Sequence, residues 1–372
     1  MKRSFAGAEF GAPGSLASAS RRGRQDGLAV DEQRFTDSRA SPRRPLTASS
    51  CRPDHRRMAD LDKLLEESSR TFALTIPLLP EPTRREVTIA YLLLRIADTL
   101  EDAEGWSGEH KRDELLRFGR LLRQRSPEDV AAMARRLEAD LPTHHPGYLD
   151  LLRETPAVFA ELDALGPAQR EQVIRFALET VEGMAEVVAS VDARGRLALR
   201  TLDDLRRYCY IVAGLVGEML TELMLLDAPI LAPVAPSLRR SARVFGEGLQ
   251  LTNILKDCEA DAGEGRAFLP PDVPRSEVFA LARADLVEAA RYVATLQRAK
   301  APEGFLAFTA LPVKLAFATL EAVERLGPGA KIGRARVAGA MVDLQAALAR
   351  AQPLIPEAQS ATEGLRPRTA EA

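Results

Sequence analysis

Three cysteines in 372 residues, Cys51, Cys209 and Cys258, stand at no spacing that a zinc site or a disulfide framework uses. Four scattered histidines, His55, His110, His144 and His145, add no ligand pattern, so zinc chemistry is excluded and a reducing compartment fits. No run of 18 apolar residues is free of charge. The best, IVAGLVGEMLTELMLL, is interrupted by Glu218 and Glu222, and no transmembrane helix is expected. Period-2 strand runs and solenoid repeats are missing as well. A net charge of −2 gives no general basic field, which argues against a nucleic-acid partner.

What is present is ordinary globular material, 46% hydrophobic and 28% charged, with ample apolar residues for a core. The charge is unevenly spread: residues 1–57 hold 12 Lys+Arg against 6 Asp+Glu, leaving 39 against 47 in the rest. That first stretch is rich in Ser, Arg, Ala, Gly and Pro without an apolar period and reads as a disordered extension. Met58 opens the first amphipathic pattern and is the expected true start. From there to residue 352 the pattern is helical, with proline at most breaks, and residues 353–372 read as a polar tail. Helices are expected over about 83–102, 108–125, 127–139, 168–191, 203–226, 237–262, 275–299, 303–326 and 335–352. Ser126-Pro127 opens the third of these and Asp203-Asp204 caps the fifth. The fold class is all-α, one multi-helix bundle with a central active-site cavity.

Chemistry concentrates between Phe245 and Pro270. Asn253, Asp257 and Asp261 stand at i, i+4 and i+8, which at about 3.6 residues per turn stacks three oxygen-bearing side chains on one helix face. Hard oxygen ligands on a mostly apolar helix suit magnesium shared with substrate phosphates; a solvated acidic helix end is the plainer alternative. A second acidic group, Asp98, Glu101 and Asp102, ends the buried helix, where the macrodipole makes it costly without a cation. Its alternative is a surface pair of Arg95 with Glu101 or Asp98. Two such helices face to face would hold magnesium against a diphosphate leaving group. Arg70, Arg95, Lys256 and Arg266 are candidate phosphate-binding cations. Tyr208 and Tyr210 are candidate proton-handling phenols, and Val212, Val216 and Met219 candidate walls for a prenyl chain. Gly214 and Gly217 would allow close helix approach.

Five blocks together resemble the squalene/phytoene synthase family and, within it, its squalene synthase branch. They are Ser69-Arg70-Thr71-Phe72, YLLLRIADTLED (91–102), YCYIVAGLVG (208–217), LQLTNILKDCEAD with GRAFLP (249–270), and FTALPVKLAFATL (308–320). The resemblance implies an all-α prenyltransferase that couples two farnesyl diphosphates through presqualene diphosphate to squalene, with Mg2+ and with NADPH for the reductive step. It places Asp98, Asp102, Asp257 and Asp261 on magnesium, with Asn253 in support and Glu101 beside the first pair. Diphosphate would meet Arg70, Arg95 and Arg266, with Lys256 where the family more often has arginine and Gln250 lining the site. Tyr208 would be catalytic in the first half-reaction, with Arg95 assisting. Lys331 and Arg334 resemble the segment that would bind the NADPH phosphate, a solvated basic loop being the alternative reading. GRAFLP is similar to the phytoene synthase form, so presqualene diphosphate synthase and phytoene synthase remain alternatives, and a non-catalytic lipid-binding relative a remote one. A cytoplasmic monomer, peripheral to membranes because its substrate and product are lipophilic, is expected.

Overall fold

The structure is a computed structural model that describes residues 55–69, 72–103, 105–191 and 196–356, with side chains from Leu61 onward. Expectations for the extension up to residue 54, for Arg70 and for residues 357–372 lie outside the described residues. The first helix, α1, runs His55–Ser68, starting three residues before Met58. Then come α2 (Phe72–Thr75), α3 (Thr83–Glu101), α4 (Gly108–Arg123), α5 (Pro127–Ala139), α6 (Pro146–Arg153), α7 (Thr155–Asp163) and α8 (Pro167–Ala189). The expected helix from 203 to 226 is in fact α9 (Leu202–Cys209) and α10 (Leu215–Asp227), joined by a π-helical turn at Tyr210–Gly214. The chain closes with α11 (Ala235–Gly263), α12 (Arg275–Arg298), α13 (Glu303–Leu326) and α14 (Arg334–Ala349).

Two helices organise the bundle. α3 is buried around most of its circumference, with Ile89, Leu92, Leu93, Ile96 and Leu100 fully inside, as expected of a helix lacking a polar face. It packs on α8 and is flanked by α1, α4, α7 and α10. α11 packs most extensively on α12 and also meets α10, α13 and the π turn. Glycine makes the close approach of α11 to α10 and to the π turn possible. A Cβ on Gly217 would lie 2.1 Å from the Ala242 carbonyl oxygen, and one on Gly246 would lie 2.0 Å from that of Ala213.

Local signals set the helix starts. Ser126 and Asp129 form a complete capping box on α5. On α9 the cap is Thr201, and Asp204 is the reciprocal half of its capping box, correcting the Asp203-Asp204 assignment. A two-residue parallel pairing, Leu197–Ala198 with Arg266–Ala267, is a feature no period-2 pattern announced. The polar-tail boundary also moves. Leu354 and Ile355 are buried, and Lys314 Nζ donates to the Leu354 carbonyl at 3.4 Å, so the packed domain continues past residue 352.

Leu202–Asp227 and Glu303–Leu326 are, by length and composition, apolar enough to cross a bilayer, against the expectation of no transmembrane helix. Yet 72% and 83% of those apolar windows are buried inside the protein, so each finds its apolar surroundings in neighbouring helices.

At the far end of α3, Glu86 is buried beside Asp227, whose carboxylate accepts from Thr83 Oγ1 at 2.5 Å and Gln169 Nε2 at 3.1 Å. Burial, and then the Asp227 charge, pushes the Glu86 carboxyl from 4.5 up to about 8. The folded chain therefore holds a proton that the unfolded chain releases, and stability present below pH 4.5 is lost as pH rises through that window. Glu86→Gln keeps the hydrogen-bonding shape without the charge. Thermal melts are expected to match wild type at about pH 5 and to exceed it by about 2–4 °C at about pH 9. A constant difference between the two would refute the shift.

Candidate active site

The acidic end of α3 is assembled around Arg95. Its guanidinium is buried, with Nε and Nη2 donating to the Tyr91 hydroxyl at 3.1 and 2.9 Å. Nη1 lies 3.7 Å from Asp98 Oδ2, and the Tyr148 ring faces the cation at 5.1 Å. Tyr91 itself donates to the Ser68 carbonyl at 3.1 Å, which ties α3 to α1. Burial works against this charge, but the Tyr91, Asp98 and Tyr148 oxygens around it raise its pKa overall. The pairing of Arg95 with Asp98 is thus present, inside the protein rather than on its surface.

The second acidic group lies on α11. Asn253, Asp257 and Asp261 are all buried, as is Gln250. Lys256 Nζ sits 3.1 Å from Asp257 Oδ2. Past the end of α11, Gly265 adopts φ +82°, in the left-handed region that favours glycine, and the chain turns back. The short strand pairing, with Leu197 N donating to the Gly265 carbonyl and Leu199 N to that of Ala267, both at 3.0 Å, then fixes Arg266. Arg266 Nη1 donates to Asp102 Oδ1, while Nη2 donates to Glu264 Oε2 at 2.6 Å and lies 3.9 Å from Asp261 Oδ1. One guanidinium thereby joins the acidic ends of both helices. Burial opposes its charge, and Asp102, Tyr208, Glu101 and Asp261 together raise its pKa.

Compensation is incomplete on the α3 side. Glu101 keeps some solvent exposure at its surface but is densely surrounded by protein. Burial first, then Asp102 and Asp98, pushes its carboxyl up to about 8, against the pull of Arg266 and Lys111. Tyr208 is buried with its ring stacked on Phe268 at 4.7 Å between centroids. Burial, then Glu101 and Asp102, holds its phenol well above its usual pKa, so the proton stays on. A cavity of about 440 Å³ is lined by Glu101, Asp102, Lys111, Arg266, Trp106 and Val188 among others, while Asp98, Tyr208, Asn253, Asp257 and Asp261 are not part of its lining. Val212, Val216 and Met219 are packed inside the bundle and do not line it.

Among the described residues, no three Asp, Glu, His or Cys side chains converge into a closed metal centre. The donors that do approach one another suit a hard cation that keeps open positions. They are carboxylate and amide oxygens, and Asn253 Oδ1 is buried without a hydrogen-bond partner, an acceptor that a cation's bound water would satisfy. Lys331 and Arg334 are exposed and outside the cavity lining. The turn before them docks on the site helix, where Gly329 N donates to the Lys256 carbonyl at 2.6 Å.

Several contributors escaped the sequence reading. Tyr91 stands four residues before Arg95, a spacing that places it on the same face, and Phe268 lies inside the GRAFLP block. Tyr148, Trp106 and Lys111 carried no distinguishing signal, because tertiary packing alone delivers them. Arg266→Gln leaves Asp102 and Asp261 without their shared cation. It is expected to lower the melting temperature by about 3–8 °C near neutral pH, with millimolar Mg2+ recovering part of the loss. Unchanged melting would show that the two motifs hold together without the bridge.

The squalene/phytoene synthase family profile matches residues 65–341. A squalene synthase from Eremothecium gossypii is 32% identical over 215 residues, covering 57% of this chain and 45% of that protein. The squalene synthase of Saccharomyces cerevisiae is 32% identical over 219 residues, with the same coverage. That of Yarrowia lipolytica is 29% identical over 304 residues, 76% of this chain and 65% of its own. This chain spans about half the length of the first two curated relatives. Among solved structures, the complex of TcSQS with the ligand BPH1237 superposes with a TM-score of 0.68 at 23% identity, over 85% of this chain and 94% of the other, a likeness of fold. The chain belongs to the squalene/phytoene synthase family.

Proposed function

We propose that this chain couples two molecules of farnesyl diphosphate head to head, forming presqualene diphosphate and then squalene. The observation that carries the reading is the Arg266 bridge between Asp102 and Asp261, which links the two acidic motifs at the wall of the cavity that Glu101, Asp102 and Arg266 line. The relatives named above support the same chemistry through their names, and the substrate comes to this chain by that likeness.

Asp98, Asp102, Asp257 and Asp261, with Asn253 and Glu101, would hold Mg2+, which when bound supplies positive charge to the departing diphosphate. Arg266 and Lys256 add charge around it, and Arg95 orients Asp98. In the first half-reaction the allylic C–O bond of one substrate breaks and the electron pair leaves with diphosphate. The double bond of the second substrate attacks, and loss of a proton closes a cyclopropane. Tyr208 keeps its own proton, so its role is to relay rather than to remove: its hydroxyl passes the lost proton towards the diphosphate oxygens. Phe268, stacked on that ring, keeps water away from it and fixes its plane.

Lys331 and Arg334 are the residues offered to the NADPH phosphate. Both are solvent-exposed, which favours a second reading, in which they form a surface loop and the chain stops at presqualene diphosphate. We place the protein in the cytoplasm as a monomer that touches membranes only peripherally.

Product analysis with farnesyl diphosphate and Mg2+, with and without NADPH, separates the readings. Squalene appearing only with NADPH supports the full reaction, presqualene diphosphate in both tubes supports the shorter one, and no coupled product refutes both. Asp257→Asn is expected to reduce turnover at least about 10²-fold, and retained activity would remove the metal-holding role. Tyr208→Phe is expected to slow presqualene diphosphate formation about 10²-fold, and near-normal formation would contradict the relay.

A further inference from the structure

Among the described residues, Lys111 is the one cation of the cavity wall that the assignments above leave without a task. It lies near the start of α4, whose first turn is capped by Ser107 accepting from His110 N at 3.1 Å. The helix is pinned there, because Gly108 sits against the last turn of α8: a Cβ on it would lie 2.8 Å from the Val188 carbonyl oxygen and 3.0 Å from Val191 Cγ2. Side chains of an α-helix tilt towards its N-terminus, so a lysine at this point reaches back over the mouth of the cavity it lines.

Two features separate Lys111 from the other basic residues at this end of the bundle. Arg95, Lys256 and Arg266 are each engaged with a carboxylate within 4.0 Å. Lys111, half-buried, makes no hydrogen bond or ion pair with any described residue, although Glu101 and Asp102 share the cavity wall with it. An ammonium group carries three donors, and those of Lys111, which no described protein acceptor occupies, are open to an acceptor entering the cavity. Its partial desolvation is evident in a lowered pKa, burial being the first cause. Nearby, Trp106 is held by its indole N–H on Asp140 Oδ1 at 3.1 Å and by stacking on His110, so the loop before α4 is braced from outside the cavity.

We propose that Lys111 binds the diphosphate group in this cavity, as a cation separate from the Arg266 bridge. This rests on the prenyl diphosphate reading of the site. Arg266 is committed to joining the two acidic helices, and Lys111 faces the same space with its donors free. A phosphate oxygen entering from solvent meets Lys111 without any existing pair having to break.

The test is calorimetric binding of inorganic pyrophosphate, in the presence of millimolar Mg2+, to the full chain and to Lys111→Met, Lys111→Gln and Lys111→Arg. Loss of the charge in either neutral variant is expected to weaken binding about tenfold to thirtyfold, and Lys111→Arg to stay within about threefold of wild type. Ligand-free melting temperatures are recorded alongside. Neutral variants that bind pyrophosphate as wild type does, whether or not they melt earlier, overturn the assignment alone and leave Lys111 a counter-charge for Glu101 and Asp102. Wild type that fails to bind pyrophosphate with Mg2+ overturns the assignment together with the reading it rests on. Two neutral variants keep the outcome readable if one of them folds poorly.

Discussion

Like charges gathered at one place are the constraint that shapes this protein. Asp98, Glu101 and Asp102 end α3, and Asp257 and Asp261 approach the end of α11, so both groups face unfavourable helix dipoles and one another. Removing carboxylates from water costs several kcal/mol each unless countercharge is supplied at close range. Arg266 supplies it to both groups at once, and the surrounding structure serves to keep that guanidinium in place. The glycine turn at Gly265 redirects the chain, and the two-residue strand pairing with Leu197–Ala198 pins it. Among the described residues, an otherwise helical domain thus contains a fragment of sheet at the point where a single arginine has to be aimed.

A second buried charge network is compensated more closely. Glu247, completely buried on α11, accepts from Arg206 Nη2 at 3.1 Å and Arg243 Nε at 2.6 Å, and Arg206 also reaches Asp285 at 3.5 Å. Here each carboxylate has an arginine of its own or a shared one, and the network ties α9 to α11 and α12. Asp285 still feels its burial and rises to about 6. Cys209 sits beside it with its thiol held well above the usual range by burial, then Glu247 and Asp285, so it stays protonated and inert. Around Glu247 each carboxylate is paired with arginine, whereas at the cavity Glu101 carries a raised pKa and Asn253 Oδ1 has no hydrogen-bond partner.

Most of this architecture was legible in the residues. The apolar circumference of VTIAYLLLRIADTL marked α3 as a buried helix, and the i, i+4, i+8 spacing of Asn253, Asp257 and Asp261 placed them on one face. Gly217 was legible as a close-approach residue, and the Ala242 carbonyl is what it approaches. What escaped shares a physical reason. Tyr148 over Arg95, Trp106 in the loop before α4 and the pairing of Leu197 with Arg266 all join residues far apart in the chain, which periodicity does not encode. The buried Leu354 and Ile355 escaped for a different reason, since two apolar residues between prolines give no period to read.

The π turn at Tyr210–Gly214 carries a consequence for direction. It accommodates one residue more than an α-helical turn, and each residue of an α-helix advances the side chains by about 100°. Everything on its N-terminal side is therefore set to a different rotational phase from the one a continuous helix out of α10 would impose. With α10 locked on α11 by its glycine contacts, that extra residue decides which way the Tyr208 ring looks. The orientation of the tyrosine is written a few positions downstream of it, in a stretch that is not part of the cavity lining.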